Sequence, residues 1–433
     1  YMVATNLRSA PDEMDYFLNH SEARALISHT GETAAWEPIL KDCPAIQSEQ
    51  IVLFGDAGEI GARVSGAEIL ESGSGEFEAP ALDAMDLAAV LYTSGTTSRP
   101  KGVMITQGNY VWAAELQVRT QMLSAADRYL VCLPYFHINA QTYSTLPVMS
   151  VGGSMVLMER FSKSRFWDIV GEHKPTVWSY VPALTNMLEL HEPGPHEKNH
   201  SFRLWGGGLR HARLEARFGV KTIGWFGMTE TITVPVATSP LDEGKPGAVG
   251  WPNMGYRIRI MHEDGVTECA PGEVGELEIH GIPGVSLTKG YLKNPEATAE
   301  TISEDGWLKT GDNVVADERG YITYVNRKKD MLKVGGENVA ASEIERAAMS
   351  HPAIYEAAAI GIRDKVLGEV PKLYAVLRPG ASAQPQEIIE HCAGKLADFK
   401  VPREVEFIDE LPKGTLEKVS KKTLLEWEKA RRG

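Results

Sequence analysis

The order of apolar and polar positions divides the chain into three stretches of different character. Up to about residue 240, apolar runs typical of buried strands alternate with amphipathic helical patterns, which predicts parallel sheets with helices on their faces. From about 245 to 327, short strands follow one another between Gly, Pro and Asp turns, which predicts a small antiparallel β subdomain. After Arg327, helices and strands alternate in a compact α+β unit of about 105 residues.

The pattern is specific enough to place individual elements. In the first stretch we predict a helix followed by a short strand over 11–29, a strand over 87–92, a helix over 107–122, a strand over 127–137, a helix over 162–175 and a strand over 176–181. The fold class is therefore α/β. We expect a large N-terminal domain over 1–328, with its β subdomain at about 240–328, and a small C-terminal domain over 329–433.

Composition and charge exclude several classes of function. With 44 Lys and Arg against 58 Asp and Glu, the net charge is −14, which argues against binding to nucleic acid or to an anionic membrane, because both need clustered cations. No apolar run approaches the ~18 residues that span a bilayer, and no signal peptide is visible. The four cysteines form no CxxC pair, which argues against a disulfide framework or a Cys-rich zinc site and favours a cytoplasmic location.

The strongest chemical signal is a polar loop directly after the strand at 87–92. Residues 93–102 contain five hydroxyl side chains, two glycines and two cations. Glycine lets backbone N–H groups approach an anion, hydroxyls add donors and Lys101 adds charge, so the loop is expected to hold phosphates at the carboxyl end of a parallel strand. The loop lacks the G-x-x-x-x-G-K-(S/T) spacing of a Walker A phosphate loop. The alternative is an ordinary polar loop between a strand and a helix.

This string resembles the phosphate loop of the adenylate-forming superfamily, which includes acyl-CoA synthetases, firefly-luciferase-like enzymes and adenylation domains. Further matches follow in the family's order. They are Trp225-Phe226-Gly227-Met228-Thr229-Glu230, the Thr-Gly-Asp motif ending at Asp312, the hinge segment 327–333 with Gly335-Gly336-Glu337 after it, and Leu411-Pro412-Lys413 leading to Lys418. Together they cover roughly three quarters of the chain. The branch is indicated by other residues, which resemble those of carnitine/crotonobetaine-CoA-ligase-like proteins: Phe136-His137-Ile138-Asn139 with Gln141, Ser164-Arg165-Phe166-Trp167 and the Glu417-Lys418 ending.

The resemblance implies that a carboxylic acid attacks the α-phosphate of ATP, giving acyl-AMP and pyrophosphate, and that the acyl group then passes to CoA. Such a site needs cations and aligned donors to disperse charge. For the nucleotide and its metal, the implied roles are phosphate binding by Thr93, Ser94, Gly95, Thr96, Thr97 and Lys101, Mg²⁺ binding by Glu230, adenine contacts by Gly206, Gly207, Gly208, Trp225, Phe226 and Gly227, and ribose contacts by Asp312 and Arg327.

For the chemistry itself, the resemblance implies three catalytic side chains and a moving domain. Thr229 would donate to the α-phosphate or the acyl carboxylate, and His137 would stand between the acyl pocket and the phosphates. Lys418 would bridge carboxylate and phosphate oxygens, although Gly414 and Glu417 depart from the commonest motif and Lys413 is the alternative. After adenylation the C-terminal domain would rotate about Lys329, which brings Gly335, Gly336 and Glu337 to the CoA tunnel.

Several questions stay open at this level. Trp178, Tyr180, Trp205 and Trp225 could form an aromatic cage for a trimethylammonium, aryl or short acyl group, and Trp178 could equally belong to the core. A short or medium carboxylic acid is expected. The final acceptor could be a carrier protein instead of CoA, or the chain could be an inactive paralogue. A homodimer is left open, and the first residues resemble a segment that the family places well inside its N-terminal domain.

Overall fold

The computed structural model describes the chain except for residues 7–8, 10, 57–62, 74, 77, 94–99, 190–193, 195–196, 328–330, 335–336, 365–366, 397, 415–418 and 433. At 326–327, 331, 333, 337–338, 368 and 432 it describes the backbone only. In the described part, no helix has both the length and the apolar character that crossing a bilayer requires.

The first part of the chain forms two three-stranded sheets. Its elements are β1 (Met2–Val3), α1 (Pro11–His20), β2 (Leu26–His29), β3 (Ile51–Phe54), β4 (Val64–Ser65), α2 (Gly66–Ser72), β5 (Leu87–Thr93), β6 (Lys101–Thr106) and α3 (Gln107–Gln121). Strands β2, β3 and β4 pair in parallel, whereas β5 lies between β1, which is parallel to it, and β6, which is antiparallel.

Strand β6 corrects one expectation about the phosphate loop. The loop was expected between a parallel strand and a helix, but it connects β5 to an antiparallel partner strand. The Pro-Lys-Gly sequence at 100–102 resembles the end of a loop. However, the next apolar residues, Val103 and Ile105, are fully buried, because they belong to β6, a strand in the same sheet as β5.

The next part forms a seven-stranded sheet. Its elements are β7 (Arg128–Val131), a π-helical segment (Asn139–Thr145), α4 (Leu146–Ser150), β8 (Ser154–Leu157), α5 (Phe166–His173), β9 (Val177–Ser179), α6 (Pro182–Glu189), β10 (Leu204–Gly207), α7 (Ala212–Phe218), β11 (Lys221–Phe226), β12 (Val236–Ala237) and β13 (Trp251–Pro252). The strand order is β13-β12-β11-β10-β9-β7-β8, and the five strands from β11 to β8 are parallel.

Helix α3 packs between these sheets and begins at a sharply defined cap. The Thr106 hydroxyl accepts from the Asn109 N–H, and the Asn109 side chain accepts from the Thr106 N–H, each at 3.0 Å. This reciprocal pair satisfies two backbone donors that a helix start leaves open. The helix ends at Met122, whose φ of 53° is left-handed. Its buried residue Ala113 joins one core cluster with Ile105 of β6 and Leu204 of β10.

The remaining elements form two further sheets. They are β14 (Arg257–Met261), β15 (Val274–His280), α8 (Pro295–Thr301), β16 (Trp307–Ala316), β17 (Ile322–Arg327), β18 (Met331–Val334), β19 (Glu337–Ala340), α9 (Ala341–Met349), β20 (Ile354–Asp364), β21 (Gly368–Leu377), α10 (Pro385–Ala393), β22 (Glu404–Phe407) and α11 (Lys421–Arg432). Strands β14 to β17 pair antiparallel in sequence order, as expected for the β subdomain. The last five strands form the sheet of the α+β unit.

The predicted elements are confirmed, with shifts at their ends. The strand expected over 127–137 is limited to β7, and the helix expected from 162 begins at Phe166, after a turn in which the Arg165 N–H donates to the Ser162 carbonyl. The chain changes sheet between β17 and β18. The domain boundary at 328/329 stays a prediction.

Candidate active site

Four neighbouring parallel strands end at one edge of the seven-stranded sheet, and several of the residues singled out from the sequence follow these ends. His137 comes after β7, Tyr180 after β9, Gly208 after β10 and Glu230 after β11. Because β7, β9, β10 and β11 are parallel and adjacent, their carboxyl ends lie side by side. In open α/β sheets this edge is where ligands bind.

A connecting segment, 288–292, joins this edge to the strand that follows the phosphate loop. The Thr288 N–H donates to the Glu230 carbonyl at 2.8 Å. On its other side the segment pairs with β6, since the Met104 N–H donates to the Gly290 carbonyl at 2.9 Å and the Leu292 N–H to the Gly102 carbonyl at 2.8 Å. These bonds hold the end of the phosphate loop next to the turn that carries Glu230.

The same segment supplies a side chain that links the two predicted phosphate and metal residues. The Lys101 ammonium lies 4.8 Å from the centre of the Tyr291 ring. The Tyr291 hydroxyl donates to a Glu230 carboxylate oxygen at 2.9 Å. Burial raises the pKa of Tyr291, and the neighbouring Glu230 raises it further, so the phenol stays a donor. Sequence analysis missed Tyr291, whose only local signal is an aromatic residue after a glycine.

The two ends of the phosphate loop are held together by the sheet. Thr93 and Lys101 are cross-strand partners in the β5–β6 pair. Ser94, Gly95, Thr96 and Thr97 lie outside the described residues. The structure therefore fixes where the loop begins and ends, next to Tyr291.

The three glycines at the end of β10 differ in what covers them. A Cβ on Gly206 would lie 1.9 Å from the Trp225 ring, and one on Gly207 would lie 2.4 Å from the Tyr180 ring. A Cβ on Gly208 would meet nothing within 4 Å. Close packing by Trp225 and Tyr180 thus requires glycine at the first two positions, and Gly208 faces open space.

Replacing Gly206 with alanine should therefore destabilise the protein by about 1–3 kcal/mol, because the added methyl group forces Trp225 out of a packed position. Urea unfolding followed by tryptophan fluorescence measures this change. Gly208→Ala is the matched control, and it should unfold at nearly the wild-type urea concentration. Equal stability of the Gly206 and Gly208 variants would mean that Trp225 does not pack on Gly206 in solution.

The four aromatic residues proposed as a cage do not share one face of the sheet. Trp178 and Trp205 are cross-strand neighbours, both fully buried, with ring centres 4.9 Å apart. They pack with Tyr180 in one core cluster, whereas Trp225 packs with Tyr143 in the cluster on the opposite face. A single four-ring cage is therefore wrong, and the alternative that Trp178 belongs to the core is confirmed.

Phe226 and Asp312 lie on elements that pack together. Phe226 is 8% exposed and belongs to the same core cluster as Val314 of β16. Asp312, two positions earlier on β16, is 3% exposed and accepts from the Tyr324 hydroxyl at 3.3 Å. In the β16–β17 pair the cross-strand partner of Asp312 is Arg327, so the backbone register brings these two predicted residues side by side.

His137 lies in a turn, where its N–H donates to the Pro134 carbonyl at 3.1 Å and its ring contacts Phe136. The π-helical segment begins two residues later. Its first residue, Asn139, accepts from the Ser179 hydroxyl at 2.7 Å, which joins the turn after β7 to the end of β9. Sequence analysis missed this contact, because the two residues are 40 positions apart and neither carries a local signal for the other.

Thr229 and Glu230 share a short turn at the end of β11. The turn, Thr229–Thr231, is a 3-10 helix in which Thr229 is half-buried and Glu230 is 7% exposed. The Thr231 hydroxyl accepts from the Met228 N–H at 3.0 Å, which fixes the turn. Gly227 precedes it, and a Cβ there would lie 2.2 Å from the Tyr143 hydroxyl oxygen, so this position also requires glycine.

In the C-terminal unit the structure describes the supports of Lys418 but not Lys418 itself, which lies outside the described residues. Lys413 and Val419 form an antiparallel bridge, and the Ser420 N–H donates to the Pro412 carbonyl at 2.7 Å. The Lys413 ammonium forms an ion pair with Glu356. Both ends of the segment that carries Lys418 are therefore anchored.

Lys413, at the start of this segment, faces the large domain. A crevice of about 240 Å³ separates α6, with Asn186 and Met187, from Glu356 and Lys413 of the C-terminal unit. Helix α6 begins directly after Tyr180, so the crevice adjoins the strand-end edge. Lys329, Gly335 and Gly336 lie outside the described residues. Glu337 begins β19, with its backbone opposite Val334.

The residues at this edge fit a magnesium ion. Mg²⁺ takes hard oxygen ligands, keeps several waters, and needs only one or two carboxylates when phosphates complete its shell. Glu230 offers one buried carboxylate, held by Tyr291 beside the cation that ends the phosphate loop. This edge therefore offers a carboxylate and a cation of the kinds that a magnesium–nucleotide complex requires.

Comparison with known proteins agrees with this class of site. The family model described as AMP-binding enzyme matches residues 1–292, and the model described as AMP-binding enzyme C-terminal domain matches residues 343–418. The chain belongs to the AMP-binding enzyme family.

Three relatives illustrate the likeness. A crotonobetaine/carnitine–CoA ligase from Citrobacter koseri (strain ATCC BAA-895 / CDC 4225-83 / SGSC4696) is 34% identical over 430 residues, which cover 98% of this chain and 83% of that protein. The anthranilate CoA ligase AuaEII, in complex with anthranoyl-AMP, superposes with a TM-score of 0.90 at 27% identity and covers 99% of this chain and 83% of its own. ATP-bound MatB from Rhodopseudomonas palustris gives 0.87 at 28% identity, with 99% and 84% covered.

Family membership and these CoA ligases define the enzyme class. The chain is an AMP-forming acid–CoA ligase, for which ATP and CoA are substrates and Mg²⁺ is the metal cofactor.

Proposed function

We propose that this enzyme activates a short or medium carboxylic acid at the strand-end edge of the seven-stranded sheet and that the residues predicted from the sequence carry out the two steps. The observation that carries this assignment is the contact chain from Lys101 through Tyr291 to Glu230. Lys101 contacts the Tyr291 ring and Glu230 accepts from its hydroxyl, which supports assigning phosphate binding to Lys101 and metal binding to Glu230.

Phosphate binding is assigned to Thr93, Ser94, Gly95, Thr96, Thr97 and Lys101. The cation of Lys101 and the backbone N–H groups at the glycine would hold the β- and γ-phosphates, because a cation and N–H donors stabilise negative charge. Mg²⁺ bound to Glu230 supplies charge neutralisation for the phosphate oxygens. Tyr291 orients the Glu230 carboxylate by donating to it.

Nucleoside binding is assigned to Phe226, Gly208, Asp312 and Arg327. Asp312 would accept from the ribose hydroxyls, and Arg327, its cross-strand partner, would add a cation nearby. Gly206, Gly207, Trp225 and Gly227 are assigned to the packing that shapes this wall, since the rings of Trp225 and Tyr180 cover the first two glycines. Trp225 itself is only 5% exposed.

The acid is assigned to the region between His137 and Thr229. His137 would separate the acyl pocket from the phosphates, and the Thr229 hydroxyl would donate to the acid carboxylate or the α-phosphate. Trp178 and Trp205 are buried in the core and cannot contact a substrate. The rings that remain at this edge are too few to form a full cage around a trimethylammonium group. This favours a general short or medium acid over a betaine-like acid.

The two steps are assigned to two positions of the C-terminal unit. Lys418 would bridge carboxylate and phosphate oxygens during adenylation, and Lys413, at the start of its segment, lines the crevice beside α6. Rotation about Lys329 would then withdraw Lys418 and bring Gly335, Gly336 and Glu337 to the entry path of CoA. A hinge of a few residues can absorb such a change.

A panel of carboxylic acids assayed by pyrophosphate release, with and without CoA, tests this function. The panel contains straight short acids, crotonobetaine, carnitine and anthranilate. We expect the highest kcat/KM with a short or medium acid, and turnover that requires CoA. Equal turnover without CoA would contradict the thioester step, absence of pyrophosphate release with every acid would contradict the adenylation step, and a preference for crotonobetaine or carnitine would contradict the assigned acid class.

A further inference from the structure

The connection between β14 and β15 brings together three side chains of different ligand type. His262 follows β14, Cys269 lies in the returning arm, and Glu273 immediately precedes β15. One nitrogen of the imidazole, the thiol sulfur and a carboxylate oxygen all lie within 4.8 Å of one another. The closest pair, His262 Nε2 and Glu273 Oε2, is 3.2 Å apart. These residues belong to the β subdomain and have no part in the assigned catalytic site.

Backbone hydrogen bonds hold all three positions. The His262 N–H donates to the Thr267 carbonyl at 2.9 Å, and the Cys269 N–H donates to the Ile260 carbonyl at 2.8 Å. The Ala270 N–H donates to the Glu273 carboxylate oxygen at 2.8 Å, which orients the same oxygen that faces His262. The three ligand atoms are therefore presented from short, well-anchored turns rather than from a long free loop.

The backbone also leaves space for the thiol. A Cβ on Gly275, the second residue of β15, would lie 2.5 Å from the Cys269 sulfur. Any side chain at that position would displace the sulfur from the two other ligand atoms. Of the four cysteines, all of which are described, Cys269 alone is not fully buried, so its sulfur is the one that an ion can reach from solvent.

We propose that His262, Cys269 and Glu273 form a binding site for a zinc ion, with water as the fourth ligand. Thiolate, imidazole and carboxylate are the three side-chain ligands of tetrahedral Zn²⁺, at about 2.0–2.3 Å. Ligand atoms around such an ion are about 3.3–3.8 Å apart, so the His262–Glu273 pair is already at this spacing, and the sulfur needs to approach by at most about 1 Å. A thiolate ligand also separates this site from the magnesium site, because Mg²⁺ selects oxygen ligands.

Zinc at this position would cross-link the two turns between β14 and β15. The second turn is also tied to β16, because the Gly272 N–H donates to the Ala316 carbonyl at 2.8 Å. The ion would therefore stabilise the β subdomain without touching the reacting groups. The unfolded chain does not bring the three ligands together, so zinc should bind to the folded chain. Added zinc should therefore raise the melting temperature of the protein.

Titration of the reduced, metal-free, full chain with Co²⁺ tests the site. A thiolate ligand gives a sulfur-to-cobalt charge-transfer absorption that no oxygen site produces, so binding at Glu230 would not be mistaken for it. We expect one equivalent to bind with this absorption, to be displaced by Zn²⁺, and to disappear in Cys269→Ala. Affinity should fall at least tenfold in His262→Ala and Glu273→Gln and stay unchanged in the neighbouring control Glu268→Gln.

Pyrophosphate release at the wild-type rate would show that each variant is folded. Absence of the charge-transfer absorption in the folded wild-type chain would overturn the proposal. So would an absorption that survives in Cys269→Ala, or a zinc-dependent rise in melting temperature that is equal in the wild type and in Cys269→Ala, since either result would place the ion elsewhere.

Discussion

Replacing Lys418 with alanine should slow acyl-adenylate formation by about 100- to 1000-fold while the second step continues. Loss of one preorganised donor to a developing negative charge typically costs ~3–4 kcal/mol of transition-state stabilisation. Lys418 is assigned to the junction of the acid carboxylate and the α-phosphate, where two anions must meet. Pyrophosphate release measures the first step, and thioester formation from supplied acyl-AMP and CoA measures the second.

Two neighbouring lysines provide matched controls. Lys413 is paired with Glu356, and Lys421 lies 2.7 Å from Glu345, so each has a carboxylate partner within the C-terminal unit. Lys421→Ala should leave both steps nearly unchanged. Lys413→Ala should cost much less than Lys418→Ala, through loosening of the anchored segment. A larger loss of adenylation in Lys413→Ala would transfer the catalytic role to Lys413, and loss of both steps with a lowered melting temperature in Lys418→Ala would indicate a folding defect.

The parts of the fold that were predicted correctly depend on local pattern. Strand β5 is a short apolar run that ends at a polar loop, and α3 begins with the capping pair Thr106 and Asn109. These signals lie within one element, so the sequence carries them directly. The alternation of strands and helices also predicted the parallel arrangement, which the seven-stranded sheet confirms over its five parallel strands.

The contact that defines the site could not be predicted, because it depends on distant pairing. The Thr288 hydroxyl donates to the Met104 carbonyl, 184 residues earlier in the chain, and the bridge between Val103 and Tyr291 has a similar separation. Neither partner carries a local sequence signal for the other. The sequence alone therefore does not distinguish Tyr291 from any other aromatic residue. Its position at the site follows only from the pairing of β6 with the segment 288–292.

The aromatic residues show a second limit. Alternation along β10 already places Trp205 and Gly206 on opposite faces, but the face that Trp225 occupies depends on the register between β10 and β11. In that register Trp205 lies beside Thr222, and Gly206 beside Ile223, so Trp225 shares the face of Gly206. A register shift of one residue between β10 and β11 would have placed all four rings on one face of the sheet. The sequence of a single strand does not exclude that register.

Replacing Glu230 with alanine should lower kcat/KM for ATP by about 100-fold and raise the Mg²⁺ concentration needed for half-maximal rate. Mg²⁺ bound through a single protein carboxylate depends strongly on that ligand, since waters and phosphates supply the rest of its shell. Pyrophosphate release measured over a range of Mg²⁺ concentrations at saturating acid gives both quantities. Glu230→Gln keeps the shape of the side chain and should show the same shift.

Tyr291→Phe is the matched variant for this contact, because it keeps the ring beside Lys101 and removes the hydroxyl that donates to Glu230. Loss of a group that orients a metal ligand typically costs 10- to 100-fold, so we expect a loss of about tenfold, with a smaller shift in Mg²⁺ dependence than in Glu230→Ala. An unchanged Mg²⁺ dependence in Glu230→Ala would remove this carboxylate from the metal site. A loss in Tyr291→Phe that persists in the Glu230→Ala background would show that Tyr291 acts on the nucleotide directly, rather than through the carboxylate it orients.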